Sequence, residues 1–399
     1  MIKFKTCAIT GLFFVFFIIA AGCTAPVSPL PEDKEPDYPI DSVVLTTLNR
    51  TVIPVPVPSD SPALGPEQIE NFSEYGYGVW KFGEGLDYEK RLDLMPDGYT
   101  PAPDTYTEKL LNFFAITDTH ITDKESPAQA LYYGYKWGLV SGYSPAMLYN
   151  THIFDAAVQT ANALHKENPF DFGIFLGDAV NSGQYNELQW YIDVLDGRMV
   201  NPDSGDKDDP IPGPLNDYQD EYLAAGLDES ISWYQVIGNH DHFWMGMFPP
   251  DDNVRSTLTG TEVLELGNVF SDPLRLKSRG FYMGAVDGRT PYGDIIGAGA
   301  VSSFPDGPPT VPADENRRFL SRTEWIGEFF NSTSGLKGHG FSQSAKTSGF
   351  ACYSFEPKSD VPIKVIVLDN TQRDDYSGEK SSGLGSIDKE RYDWLVQEL

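Results

Sequence analysis

Short apolar and aromatic runs that stop abruptly at polar residues set the pattern of this chain. Residues 110–116 (LLNFFAI), 172–176 (FGIFL), 232–237 (SWYQVI), 351–355 and 362–368 (PIKVIVL) have the length and the β-branched and aromatic content of buried strands. Helical spacing lies between the first three. Phe154, Ala157, Val158 and Ala161 make one stripe over 153–166, and Leu188, Ile192 and Leu195 make another over 185–195. Strands alternating with helices predict an α/β fold whose sheet is mainly parallel.

The flanks read differently. Residues 43–57 contain a Val-Pro-Val-Pro run that suggests extended edge structure, and 59–103 are irregular, aromatic and Gly-rich, so the stretch 41–107 is expected to pack around a core that begins near Glu108. Residues 243–350 form a long insertion rich in Gly, Pro and acidic residues, with one helix expected over 322–330; loops of this kind at strand ends commonly shape substrate access. Near the end, Ser386 is expected to cap a helix on which Tyr392, Leu395, Val396 and Leu399 share one face.

Three of the strands run into polar motifs: Asp118-Thr119-His120, Gly177-Asp178 and Gly238-Asn239-His240-Asp241. Strand C-termini of a parallel sheet gather along one edge, where ligands usually bind, so the three motifs can meet. Carboxylate, imidazole and amide donors suit divalent Mn, Fe or Zn. Asp118 and His120 can hold one ion, Asp178 can bridge two, and Asn239 can offer its amide oxygen to the second. His240, beside that ligand, can reach a substrate oxygen as a proton donor or charge stabiliser.

In this order the motifs resemble the calcineurin-like metallophosphoesterase family, over roughly 110–399, and 154–178 with GNHDHFWMG at 238–246 resemble a bacterial lipoprotein-type subfamily of it. The resemblance implies a layered α/β sandwich with central mixed sheets. It also implies two divalent ions, a metal-activated water attacking a phosphoester, His240 as the substrate-facing acid and Asp241 as support for its loop. Two departures stand out. Asn181 occupies a position where several members carry an Asp that pairs with the catalytic His, so charge support for His240 is weaker here or comes from elsewhere. The family's later Gly-His and Gly-His-x-His ligand blocks are missing, since His339 is the last histidine after His242. The expectation drawn is a longer enzyme that is incomplete at its C-terminus. His339 precedes the 351–355 strand, which favours a structural or substrate-facing role over a ligand role. A surface protein that keeps the fold and binds without turnover is the alternative.

Lys3 and Lys5 precede an apolar run over 7–21, and Ala20-Ala21-Gly22-Cys23 follows like a lipobox. On this reading residues 1–22 are a lipoprotein signal, Cys23 is lipidated and anchors the protein to a membrane outside the cytoplasm, and 23–40 is a solvated tether rich in Pro and acidic residues. The catalytic domain then spans 108–399, carrying the insertion 243–350. Loss of Lys3 and Lys5 takes the formal charge from −29 to −31. Such a surface repels polyanions, which argues against nucleic acid and leaves small phosphoesters as substrates. With Cys352 the only other cysteine of the mature chain, no disulfide framework is expected.

Overall fold

The computed structural model describes residues 35–40, 43–101, 108–137, 142–206, 210–267, 280–286, 288, 290, 293–371 and 385–399. The signal segment and Cys23 lie outside these. The expected edge structure is an antiparallel ribbon of β1 (Arg50–Pro54) and β2 (Trp80–Glu84). Its apolar side chains are not packed as expected for a segment wrapped on a core, for Val52, Trp80 and Phe82 stay mostly exposed. Residues within the expected tether dock on the core as well. Asp37 exchanges hydrogen bonds with Leu223, giving its backbone N–H to the Leu223 carbonyl at 3.0 Å and accepting the Leu223 N–H on its carboxylate at 2.7 Å. The Tyr38 ring meets His152 and Tyr222, so one aromatic anchor overrides the polar composition around it.

The core is built from β3 (Phe113–Ile116), α1 (Leu131–Trp137), α2 (Asn150–Glu167), β4 (Phe172–Phe175), α3 (Tyr185–Asp196) and, after a small pair of β5 (Met199–Val200) with β6 (Tyr222–Leu223), β7 (Trp233–Gln235). Strands β3, β4 and β7 are parallel neighbours in that order. Phe175 points at α2 and α3, edge-on to Phe154 and Tyr191. Phe172 and Tyr234 face the other way and meet Phe355. The fold is therefore mixed α/β, with helices on one face of the parallel sheet.

Strand β3 corrects the expectation of full burial. It is an edge strand, and Leu110 and Phe113 are half exposed. Ladder pairing starts only at Phe113, because Asn112 is tied to Asp171 through its N–H and its carbonyl.

The insertion holds more structure than the single helix expected. It contains α4 (Asp252–Thr259), an antiparallel sheet of β8 (Glu265–Leu266), β9 (Phe281–Val286) and β10 (Ile295–Ala300), then α5 (Arg322–Glu328) and α6 (Ala345–Ser348). Strand β10, IIGAGA, hides from a pattern reading because glycine weakens the strand signal. Strands β11 (Tyr353–Phe355) and β12 (Val365–Val367) pair antiparallel and supply Phe355 to the sheet's second face.

The last helix, α7 (Lys389–Glu398), is capped by Asp388, whose carboxylate accepts the Arg391 N–H, and not by Ser386, which instead bridges Thr371. Of the residues expected to share one face, Tyr392, Val396 and Leu399 are exposed and Leu395 is half-buried. The helix is seated by buried Arg391, paired with Asp369 at 3.0 Å, and by Trp394 against the Phe350 ring.

Asp196 at the end of α3 ties the core to the insertion. It accepts from the hydroxyls of Ser332 and Ser334 and from the N–H groups of Thr333 and Ser334, and it pairs with Arg198 at 3.0 Å. Burial alone would raise its pKa, but these donors, Ser334 foremost, hold it below the ordinary carboxylate value. A depressed carboxylate contributes stability above its unfolded pKa, and that stability is lost as pH falls through the lower folded value. Asp196→Ala is expected to lower stability by about 2–4 kcal/mol at neutral pH, with a shallower loss of stability on acidification than the parent. Urea titrations across pH test this, and a change below about 0.5 kcal/mol contradicts it.

Candidate metal centre

The loops that leave β3, β4 and β7 lie side by side and are stitched by main-chain bonds. Asp118 N–H donates to the Gly177 carbonyl at 3.2 Å, and His120 N–H to the Asp178 carbonyl at 3.0 Å. His240 N–H donates to Asp178 Oδ1 at 2.8 Å. Glycine is required at both crossing points: Gly177 has φ +103°, a Cβ there would lie 2.8 Å from the Gly238 backbone, and a Cβ on Gly238 would overlap the Asp178 carboxylate and amide.

Asp118, His120 and Asp178 all adopt left-handed backbone conformations, with φ of 56°, 45° and 50°. Non-glycine residues rarely do so, and such strain persists where surrounding structure enforces a particular side-chain direction. The directions converge. Ligand atoms of His120, Asp178 and His240 all lie within 4.8 Å of one another. Asp118 Oδ1 stands 3.6 Å from His120 Nε2, and Asp178 Oδ2 stands 3.8 Å from it. Asn239 flanks this group with its amide nitrogen bonded to the Gly246 carbonyl at 2.9 Å, which leaves the amide oxygen as its donor toward an ion.

Both imidazoles are oriented by Asn181. Its side-chain oxygen meets His120 Nδ1 at 3.0 Å, and its carbonyl meets His240 Nδ1 at 2.6 Å. With Nδ1 carrying the proton in each ring, both Nε2 atoms present lone pairs, the arrangement by which metal-ligating histidines are usually held. The support that an Asp at this position would give is thus supplied by a neutral residue twice over. Asn181 is fixed in turn by Gln129 at 3.0 Å. Burial, and then the neighbouring His120, push the His240 pKa below the ordinary histidine value, so the ring is uncharged at neutral pH and must take up a proton before it can give one.

Asp241 is buried behind the loop, where it accepts the N–H groups of Gly238 at 2.8 Å and Val180 at 3.1 Å. Burial, then Asp178, raise its pKa to about 8. It braces the loop. A cavity of about 300 Å³ is lined by Asp118, His120, Ser144, Ala146, Asn150 and Asn181, whereas Asp178, Asn239 and His240 lie outside its lining.

The remaining histidines stand apart from the cluster. His339 is fully buried, stacked on Trp233 with ring centroids 3.3 Å apart, so it is structural. His242 sits among Arg322, Asp369 and Arg391, with its pKa lowered to about 3 chiefly by burial. His152 packs on Tyr222, and His165 bonds to Ser230.

Several supporting residues escape a reading of the sequence. Glu187 in the first turn of α3 accepts the N–H of Asp123 at 3.0 Å and of Ser182 at 2.9 Å, clasping the segments that follow two of the motifs. A Glu at the third position of a helix is a capping signal that points to it. Asn150 donates to the His120 carbonyl and opens α2 four residues before the apolar stripe begins, and nothing in its spacing marks it.

Comparison with protein-family models, with curated proteins and with solved structures gives no match for this chain.

The His120 imidazole with the Asp118 and Asp178 carboxylates is a donor set that suits a divalent transition metal. Gly238→Ala is expected to displace Asp178 and weaken Mn²⁺ binding at least about tenfold, equivalent to about 1.4 kcal/mol, while far-ultraviolet circular dichroism stays native. Unaltered affinity in a folded Gly238→Ala variant contradicts the geometry described.

Proposed function

We propose that this chain is a metal-dependent hydrolase. Within that class, it is best read as a calcineurin-like metallophosphoesterase of the lipoprotein type, with the corresponding layered sandwich fold. One observation carries the reading: three successive parallel strands end in D-x-H, G-D and G-N-H-D loops whose His120, Asp178 and His240 ligand atoms converge. Asp118, His120 and Asp178 hold one ion, and Asp178 and Asn239 a second. Such a pair supplies a nucleophilic hydroxide and neutralises charge developing on a phosphoryl group. His240, steered by the Asn181 carbonyl, turns its Nε2 toward the substrate.

The full-length protein with Mn²⁺ is expected to hydrolyse an aryl phosphate mono- or diester, and Asp178→Ala is expected to abolish turnover in a folded protein. His240→Gln is expected to keep its metal while turnover falls about 10²-fold to 10⁴-fold, with a smaller loss for nitrophenolate than for poor leaving groups. Equal losses for both leaving groups, or loss of metal, would remove the acid role from His240. Stoichiometric metal binding with no hydrolysis of any ester would instead support the non-catalytic binding protein. Anchoring is tested separately: Cys23→Ser is expected to release the protein from the membrane fraction, and its retention there contradicts lipidation.

A further inference from the structure

A second group of oxygen donors lies where the segment after the D-x-H motif meets the 201–221 loop. Gln219 Nε2 donates to Asp203 Oδ1 at 3.0 Å and to Glu125 Oε2 at 3.1 Å, drawing two carboxylates onto one point. Gln219 is only 1% exposed, yet its Oε1 has no hydrogen-bond partner. An orphaned buried carbonyl oxygen is costly unless something not yet counted satisfies it. Gln219 also lines a cavity of about 390 Å³ together with Asn201, Asp203, Asp220 and Glu221, whereas Glu125 lies outside that lining. Gly288 packs against the same oxygens: a Cβ there would stand 2.5 Å from Glu125 Oε1 and 2.7 Å from Gln219 Oε1, so a side chain would displace both.

The charges point the same way. Asp123, Glu125, Asp203 and Asp217 surround the buried Lys124, whose amine donates to the Pro202 carbonyl. Arg317 pairs with Asp123 at 3.0 Å. Among the described residues these carboxylates, with Asp220 and Glu221 on the cavity wall, outnumber the cations Lys124 and Arg317.

We infer that Glu125, Asp203 and the Gln219 side-chain oxygen form a second metal site, separate from the His120, Asp178 and His240 cluster and selective for a hard cation of the calcium type. All its donors are oxygen, with no imidazole or thiolate, and the cavity has room for the waters that complete six to eight ligands. The ion fixes residues 123–125, which follow on the His120 loop.

The test is Ca²⁺ binding by equilibrium dialysis and thermal unfolding of the full chain in EDTA and in roughly 1 mM Ca²⁺, the range of weak oxygen sites. One Ca²⁺ per chain and a rise in Tm of about 3 °C or more are expected. Both should persist in Asp178→Ala and vanish in Asp203→Asn. Gln219→Glu, which adds a third carboxylate, is expected to bind Ca²⁺ more tightly than the parent while being less stable in EDTA. The inference is overturned by absence of Ca²⁺ binding, by binding that disappears in Asp178→Ala, by binding that survives Asp203→Asn, or by weaker binding in Gln219→Glu.

Discussion

Everything at the candidate centre depends on how closely the ends of β4 and β7 approach. Gly177 and Gly238 stand back to back with no side chain between them, and only this lets the Asp178 carboxylate accept the His240 amide while its other oxygen faces His120. The cost appears as three non-glycine residues held in left-handed backbone conformations within two neighbouring loops. Strain of this kind, of order 1–3 kcal/mol per residue, is offset by main-chain bonds between the loops and by buried Asp241 and Glu187, which bind the loop amides from behind. The aromatic core under the sheet keeps that frame rigid: Phe175 is wedged between Phe154, Tyr191 and Trp233.

Much of this was legible in the chain because local signals and tertiary structure agree there. Strands β4 and β7 and helices α2 and α3 carry apolar residues at the period of the element they form, and each motif follows its strand directly. Where the reading failed, long-range forces outweighed local pattern. Strand β3 looks buried but is a sheet edge. Tyr38 binds a tether that composition alone would leave in solvent. The cap of α7 is Asp388 and not Ser386, which is held by its bridge to Thr371. The insertion is more regular than its glycine content suggests, since β9 pairs with both β8 and β10 and buries Tyr282, Met283, Ala285 and Val286.

The site shows the same division. The residues that present donor atoms announce themselves in short motifs, whereas those that aim them do not. Asn181 was visible only as a departure from a family pattern, and the structure shows a neutral residue orienting two imidazoles, one through its side chain and one through its backbone. Gln129 behind it and Asn150 beside it depend on chain crossings far apart in sequence. Second-sphere support of this kind is set by tertiary structure and leaves little trace in spacing.

The claim on which the account rests is that imidazole nitrogen from these loops binds the metal. Pulsed electron paramagnetic resonance of Mn²⁺ bound to the full chain, with histidines labelled with ¹⁵N in the ring, reads this directly. Coupling from ¹⁵N is expected in the parent and is expected to be lost in His120→Ala. Bound Mn²⁺ with no nitrogen coupling, held by oxygen alone, would contradict the account.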